Sequence, residues 1–372
     1  MLNVQEIIIG TGGDYPTITA FSSAFDNTLI SNPETTVIVK LKAEVFDEWG
    51  LSITVPTNCR FFHLTAENDY HKGVLTNSGP IIRAVTPTAS TAALTLLVSD
   101  RSWTPYVTIS KIAIDGNSNY TGSAQVSAIS LNGSLQTSIG LNTIIDKCLF
   151  TMGTMVSARG FVLASAAGRP CMLSNSLIYG VNSAGVSATR NSYGIGGDEQ
   201  IFSFFNTIDD LSYPNATASS FSYGIDINST PVAQLAKIQG NIVTGIVSNA
   251  GTTACYDPNV TASTGFLYNV SDDLTGNTSS TAGTEFEDAA GRDYSLASGA
   301  SSIGLVSDVG ANFDTPNLLG IIDLQRDITN RKRALGNWDA GCFNNRSGYQ
   351  SEPSTGGSQS VLTKIGAQDL FR

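Results

Sequence analysis

The chain has 372 residues, a formal net charge of −11 and a pI of about 4.6, and its one basic cluster, Arg326 to Arg333, is short beside the clustered Lys and Arg that nucleic-acid phosphates require. Only 14 % of residues are charged while glycine supplies 36, which suits many short strands with small-residue turns rather than long polar helices. The composition therefore argues against a nucleic-acid partner, and no stretch approaches the ~20 apolar residues of a membrane span.

Residues 1–6 lack the basic and apolar run of a secretion signal, so assembly in a cytoplasm is the expectation. The five cysteines (Cys59, Cys148, Cys171, Cys255, Cys342) are scattered, with no pair at metal-ligand spacing. Buried free thiols are expected, and neither a metal nor a cofactor is implied. The frequent Asn-x-Ser/Thr triplets, among them those starting at Asn215 and Asn269, read as composition rather than glycosylation.

Taken in order, residues 6–9 form a short strand, followed by a turn over residues 10–16. Thr17 is placed to cap a helix carrying Ile18, Phe21, Phe25 and Leu29 at spacings of three and four. Such a helix can close the open end of a solenoid, whose core and strand edges would otherwise meet water. Strands are expected at residues 36–42, 51–55, 59–64, 80–85 and 94–98.

The stretch from Val107 to Asn117 sets the pattern for the middle of the chain. Val107 and Ile109 alternate with polar residues, and Ile112 and Ile114 do so after a one-residue slip, which gives two short strands separated by a bend. Similar units begin near Asn142, Leu173, Phe205, Ile238 and Phe266, roughly 28 to 34 residues apart. Each is too short to form a core alone, and stacking supplies a shared one. The expected fold is all-β, a single-stranded right-handed parallel β-helix. Residues 183–200 and 211–222 read as Gly/Ser/Asn-rich insertions on one face. The expected organisation is residues 1–35 as strand and capping helix, 36–345 as β-helix, and 346–372 as flexible linker and C-terminal docking arm. The arm carries Leu362, Ile365, Leu370 and Phe371 for contact with a partner.

The turn containing Asp14 and Tyr15, the helix after it and the strand leading to Phe46 and Glu48 resemble the start of pectin-lyase-like β-helix proteins. Near the other end, Asp293, Tyr294 and Leu296 lead into Gly299 and Ile303, then Arg326, Arg331, Arg333 and Asp339. This order resembles the closing segment of bacterial and phage β-helices. The resemblance implies structural roles for Asp14, Tyr15, Asp293 and Tyr294, and an ion pair between Asp339 and Arg326 or Arg331 tying down the last coil. It covers the chain to about residue 345 and includes phage virion proteins, tailspikes and pectin-degrading enzymes.

The carboxylates available for chemistry are Asp209, Asp210, Asp272 and Asp273, with Asp198, Glu199 and Asp226 as lesser candidates. If the first two pairs occupy equivalent coil positions, they lie about 10 Å apart at the spacing of stacked strands. That could seat a water between acid and base in an inverting hydrolase. The competing reading is turn chemistry, since Asp caps turns with its own side chain. The galacturonase and pectin-esterase patterns are missing their central residues, and His63 reads as a packed histidine. The expected function is a virion structural protein of a bacteriophage, a homotrimer decorating the particle against the major capsid protein or another virion protein. The alternatives are a tailspike that binds or cleaves host surface polysaccharide, or a carbohydrate-active β-helix enzyme.

Overall fold

The computed structural model describes residues 3–343 apart from 27, 31, 33–34, 77, 86–91, 99–105, 120–125, 133–142, 156–159, 166–170, 184–191, 198–200, 215–220, 228–235, 282, 308–323, 325 and 334–336. Three parallel sheets run the length of the molecule, and the chain visits them in rotation. Thus Tyr106–Ser110 lies in the first sheet, Ala113–Asp115 in the second and Val126–Asn132 in the third, before Thr143–Asp146 returns to the first. Register confirms the stacking: Val107 pairs with Thr143, Thr143 with Cys171 and Cys171 with Ile201, in parallel throughout. This is a single-stranded parallel β-helix.

Alternation along each strand creates two cores rather than one. Ile145, Leu173, Phe150 and Ile178 face the inside of the solenoid, where they join Val107, Ile109, Ile195 and Ile225. Their immediate neighbours Ile144, Met172, Leu149 and Leu177 face outward, yet they are equally buried. The cover includes the segment beyond the coils. Phe286, Tyr294, Leu296, Val306, Leu324, Ile328 and Phe343 belong to the same outer cluster. Among the described residues the last strand of the parallel sheets is Thr278–Ser279, and the described parts of 285–343 form a strap over the outside rather than further coils. Among the described residues the strap contains one antiparallel strand pair, Phe286–Asp288 with Asp293–Leu296, and antiparallel bridges at Val306 with Trp338 and Arg326 with Lys332.

The bend between first- and second-sheet strands has one geometry in coil after coil. Lys111, Lys147, Asn175, Phe205, Gly240 and Tyr268 all have φ between 45° and 65°. One left-handed residue turns the chain between two strands, and this is the slip visible in the sequence. The residue after each bend points inward, and from Ser176 onward that position is polar. Asn206 Oδ1 accepts from Ser176 N (2.9 Å), Asn241 Oδ1 from Asn206 N (3.0 Å) and Asn269 Oδ1 from Asn241 N (3.0 Å). Asn277 Oδ1 ends the ladder by accepting from Asn269 N. Asn206, Asn241 and Asn269 are fully buried, so each rung satisfies backbone that the bend removes from regular pairing.

The N-terminal end is closed as the sequence implied, with a shorter helix. Ile18–Ala24 is helical, Thr17 Oγ1 accepts from Ala20 N, and Phe25 terminates the helix, so Leu29 lies beyond it. Glu48, from the neighbouring coil, accepts from Ile18 N and Thr19 N, placing a carboxylate at the helix N-terminus. Phe21 and Phe25 stack toward Phe62 in the core.

The two expected insertions are corrected in part. Ser192–Gly197 and Phe221–Ile227 are third-sheet strands paired with each other. Glycine is required there: a Cβ on Gly194 would press on Ile208 and Leu211, and one on Gly224 would run into Val243. What reads as a loop is a strand thinned to let core side chains through.

Candidate functional site

The carboxylate candidates lie on the outer face of the second sheet. Thr207 pairs with Ile242, and Ile242 with Val270. Two residues along, this register aligns Asp209, Thr244 and Asp272, and then Asp210, Gly245 and Asp273. The two acid pairs follow the paired strand residues at the same offset, with Thr244 and Gly245 on the coil between them.

Each acid is already engaged. Thr244 Oγ1 donates to Asp209 Oδ1 at 2.7 Å, and Gly245 N to Asp272 Oδ2 at 2.9 Å. Asp209 is also hydrogen-bonded to the Tyr294 hydroxyl. Asp210 pairs with Arg292 at 2.9 Å, with both partners nearly half exposed. The Arg292 guanidinium lies 4.8 Å above the Tyr179 ring and donates to Tyr294 Oη. Cys255 Sγ donates to Asp272 Oδ1, Cys255 N to Asp273 Oδ2, and Thr275 N and Oγ1 to Asp273 Oδ1. The four carboxylates thus link three coils to one another, to the third-sheet edge strand Thr252–Tyr256 and to the strap.

Their electrostatics diverge. Burial raises the Asp209 carboxyl above the usual range, against the lowering effect of Thr244 and Tyr294. Burial also opposes charge on Asp273, but hydrogen bonds from Thr275 and Cys255 together hold it below that range. The Cys255 thiol is pushed far up by burial and by the adjacent Asp273 and Asp272. Cys255, Asp272 and Asp273 place one ligand atom each within 4.8 Å of the others, the one such group among the described residues.

The other sequence-assigned residues are distributed along the fold. Asp14 Oδ2 accepts from Ile8 N, and Tyr15 packs edge-on to Phe21. Asp293 Oδ1 caps Ser295 N, and Tyr294 is buried between Tyr179 and Phe286. Asp339 Oδ1 accepts from Gly304 N. Arg326 is half-buried and donates to Asn330 O, and Arg331 is exposed. The sequence placed Arg333 in the closing segment but gave the tying role to Arg326 or Arg331, whereas Arg333 is the buried one of the three, only 3 % exposed. It donates to Leu324 O, Asp339 O, Gly341 O and Asn175 Oδ1, with its guanidinium 4.2 Å from the Phe205 ring. It fastens the strap to two adjacent bends. Only its spacing from Trp338 and Asp339 marked it in the sequence.

His63 sits on the outer face of the first sheet, 2.9 Å from Ser110 Oγ, and burial with Lys111 and Lys40 nearby lowers its pKa to about 4. All five cysteines are free and buried. Asp226 is buried in the third sheet. Asp198, Glu199, Leu362, Ile365, Leu370 and Phe371 lie outside the described residues. No helix among the described residues is long and apolar enough to cross a membrane. No protein-family model matches the chain, and no curated protein matches it at significant similarity.

Proposed function

We propose that the chain is a structural protein of a bacteriophage virion, a homotrimeric β-helix that decorates the particle and contacts the major capsid protein or another virion protein. The observation that carries this reading is the engagement of all four candidate carboxylates in links between coils, edge strand and strap. Side-chain chemistry that could face a substrate is directed to holding the solenoid shut, as a particle exterior demands. The likeness of both chain ends to phage β-helices points the same way, and assembly within the host cell follows from it. Exposed Phe221, Val247 and Leu274, on the C-terminal coils, offer apolar area for contacts between copies or with the shell. The arm with Leu362, Ile365, Leu370 and Phe371 is the further docking element. Mass spectrometry of gradient-purified particles tests the proposal. Copy number near that of the major capsid protein is expected, and absence from every particle refutes it.

A second reading has one observation in its favour. Asp209 and Asp272 align across Thr244, with Asp209 raised and neighbouring Asp273 lowered, a divergence that acid–base pairs use. A tailspike cleaving host polysaccharide would use that pair. A few copies per particle, with polysaccharide shortened on incubation, is its signature.

A further inference from the structure

Beneath the strap lie two ammonium groups without carboxylate partners among the described residues. Lys111 and Lys147 occupy the left-handed bend position in adjacent coils, where Ser110 pairs with Asp146. Lys147 is 3 % exposed, and its Nζ has one acceptor, the neutral Asn330 Oδ1 at 3.3 Å. Lys111 is half-buried, and its Nζ lies 5.5 Å from the Tyr70 ring centroid without a hydrogen-bonding partner among the described residues. Burial and the Lys147 charge both weaken its hold on a proton. Tyr70 is 4 % exposed, and its hydroxyl is buried with no partner.

The nearby acids face elsewhere. Asp146 Oδ1 accepts from Ser174 Oγ and Asn175 Nδ2. Asp327 Oδ1 accepts from Thr329 N, Thr329 Oγ1 and Arg331 N. Neither acid forms an ion pair with Lys111 or Lys147. Burial, then the charges of Asp327 and Asp146, outweigh Arg326 at the Tyr70 hydroxyl and keep it protonated, so it can only donate to an anion. His71, which fixes this corner by hydrogen-bonding Lys147 O and Gly73 N, is neutral, its pKa lowered to about 3 by burial. Buried cations of like sign beside an orphan hydroxyl are costly unless something negative joins them.

We propose that Lys111, Lys147, Tyr70 and the Asn330 amide form a binding site for a small tetrahedral oxyanion, phosphate or sulfate as the free ion. Lys111 leaves the site open on its solvent side. The ion would accept from both ammonium groups and the Tyr70 hydroxyl, and would join the coils to the strap through Asn330. The site is independent of the virion assignment, because it rests on groups far from the carboxylate row.

The test is thermal unfolding of the full chain in phosphate, sulfate or chloride at matched ionic strength. Phosphate or sulfate should raise the Tm logarithmically with concentration above Kd, by about 3 °C at a hundredfold excess, and chloride should not. Tyr70→Phe and Lys111→Gln should each raise the Kd at least fivefold while folding in chloride. Isothermal titration with inorganic phosphate provides a second readout should Lys147→Met fail to fold. Equal response to the three anions, or an unchanged Kd in both folded variants, overturns the site.

Discussion

Replacing Asn241 with alanine probes the inner ladder at its centre. Asn241 Oδ1 accepts from Asn206 N and Ser203 Oγ, and its Nδ2 donates to Ser203 O and Asn269 Oδ1. The alanine variant leaves Asn206 N and Ser203 O without those partners at fully buried positions. Each buried orphan costs about 1–3 kcal/mol, so Asn241→Ala should lose about 2–6 kcal/mol. With unfolding entropy near 2.1 cal/mol/K per residue, the middle of that range lowers the Tm by about 5 °C for a cooperative chain of this length. Asn277→Ala removes the last rung, where the side chain is exposed and water can substitute, and should cost under about 1 kcal/mol. Urea unfolding of both variants supplies the comparison. Amide exchange around Asn206 should accelerate only in Asn241→Ala. Equal losses in the two variants, or a loss below about 0.5 kcal/mol at Asn241, would refute the ladder as a source of stability.

Other consequences arise from the strap and the buried histidines. Gly73 has φ +87°, and a Cβ there would run into the Phe343 ring, so Gly73→Ala should cost about 1–3 kcal/mol and expose the strap to limited proteolysis. Arg333→Met leaves four acceptors unpaired and should cost about 3–5 kcal/mol, with Arg333→Lys failing to rescue because one ammonium cannot reproduce the planar fork. His71 is held neutral with a folded pKa near 3, against 6.5 as its ordinary value. A depressed folded pKa means the unfolded chain takes up the proton first. The stability is therefore complete above pH 6.5 and falls as the pH drops toward 3, by about 3 kcal/mol at pH 4 from this group. A pH series of urea midpoints should show that slope reduced in His71→Gln.

The coils were legible because apolar alternation survives in the first- and second-sheet strands, and the bend shows as a one-residue slip at Lys111. The third sheet was legible at residues 51–55 and 94–98 but hidden later, since Gly194 and Gly224 serve as strand residues where core side chains cross, and glycine otherwise reads as a breaker. The ladder was hidden for a related reason. Asn269 begins an Asn-x-Ser triplet and reads as surface composition, although it is fully buried. Alignment of Asp209 with Asp272 was readable from spacing, but their partners Tyr294, Arg292 and Cys255 come from segments whose packing no local pattern encodes. Arg333 is distinguished from Arg326 and Arg331 only by which of three neighbouring arginines the strap turns inward.

The central claim is that the acidic row binds the fold together rather than a substrate. Its most direct test measures unfolding and polysaccharide cleavage side by side for the natural chain, Asp209→Asn and Asp272→Asn. The account predicts a lowered Tm in both variants and no shortening of host surface polysaccharide by any of the three. Cleavage by the natural chain, lost in both variants at an unchanged Tm, would contradict it.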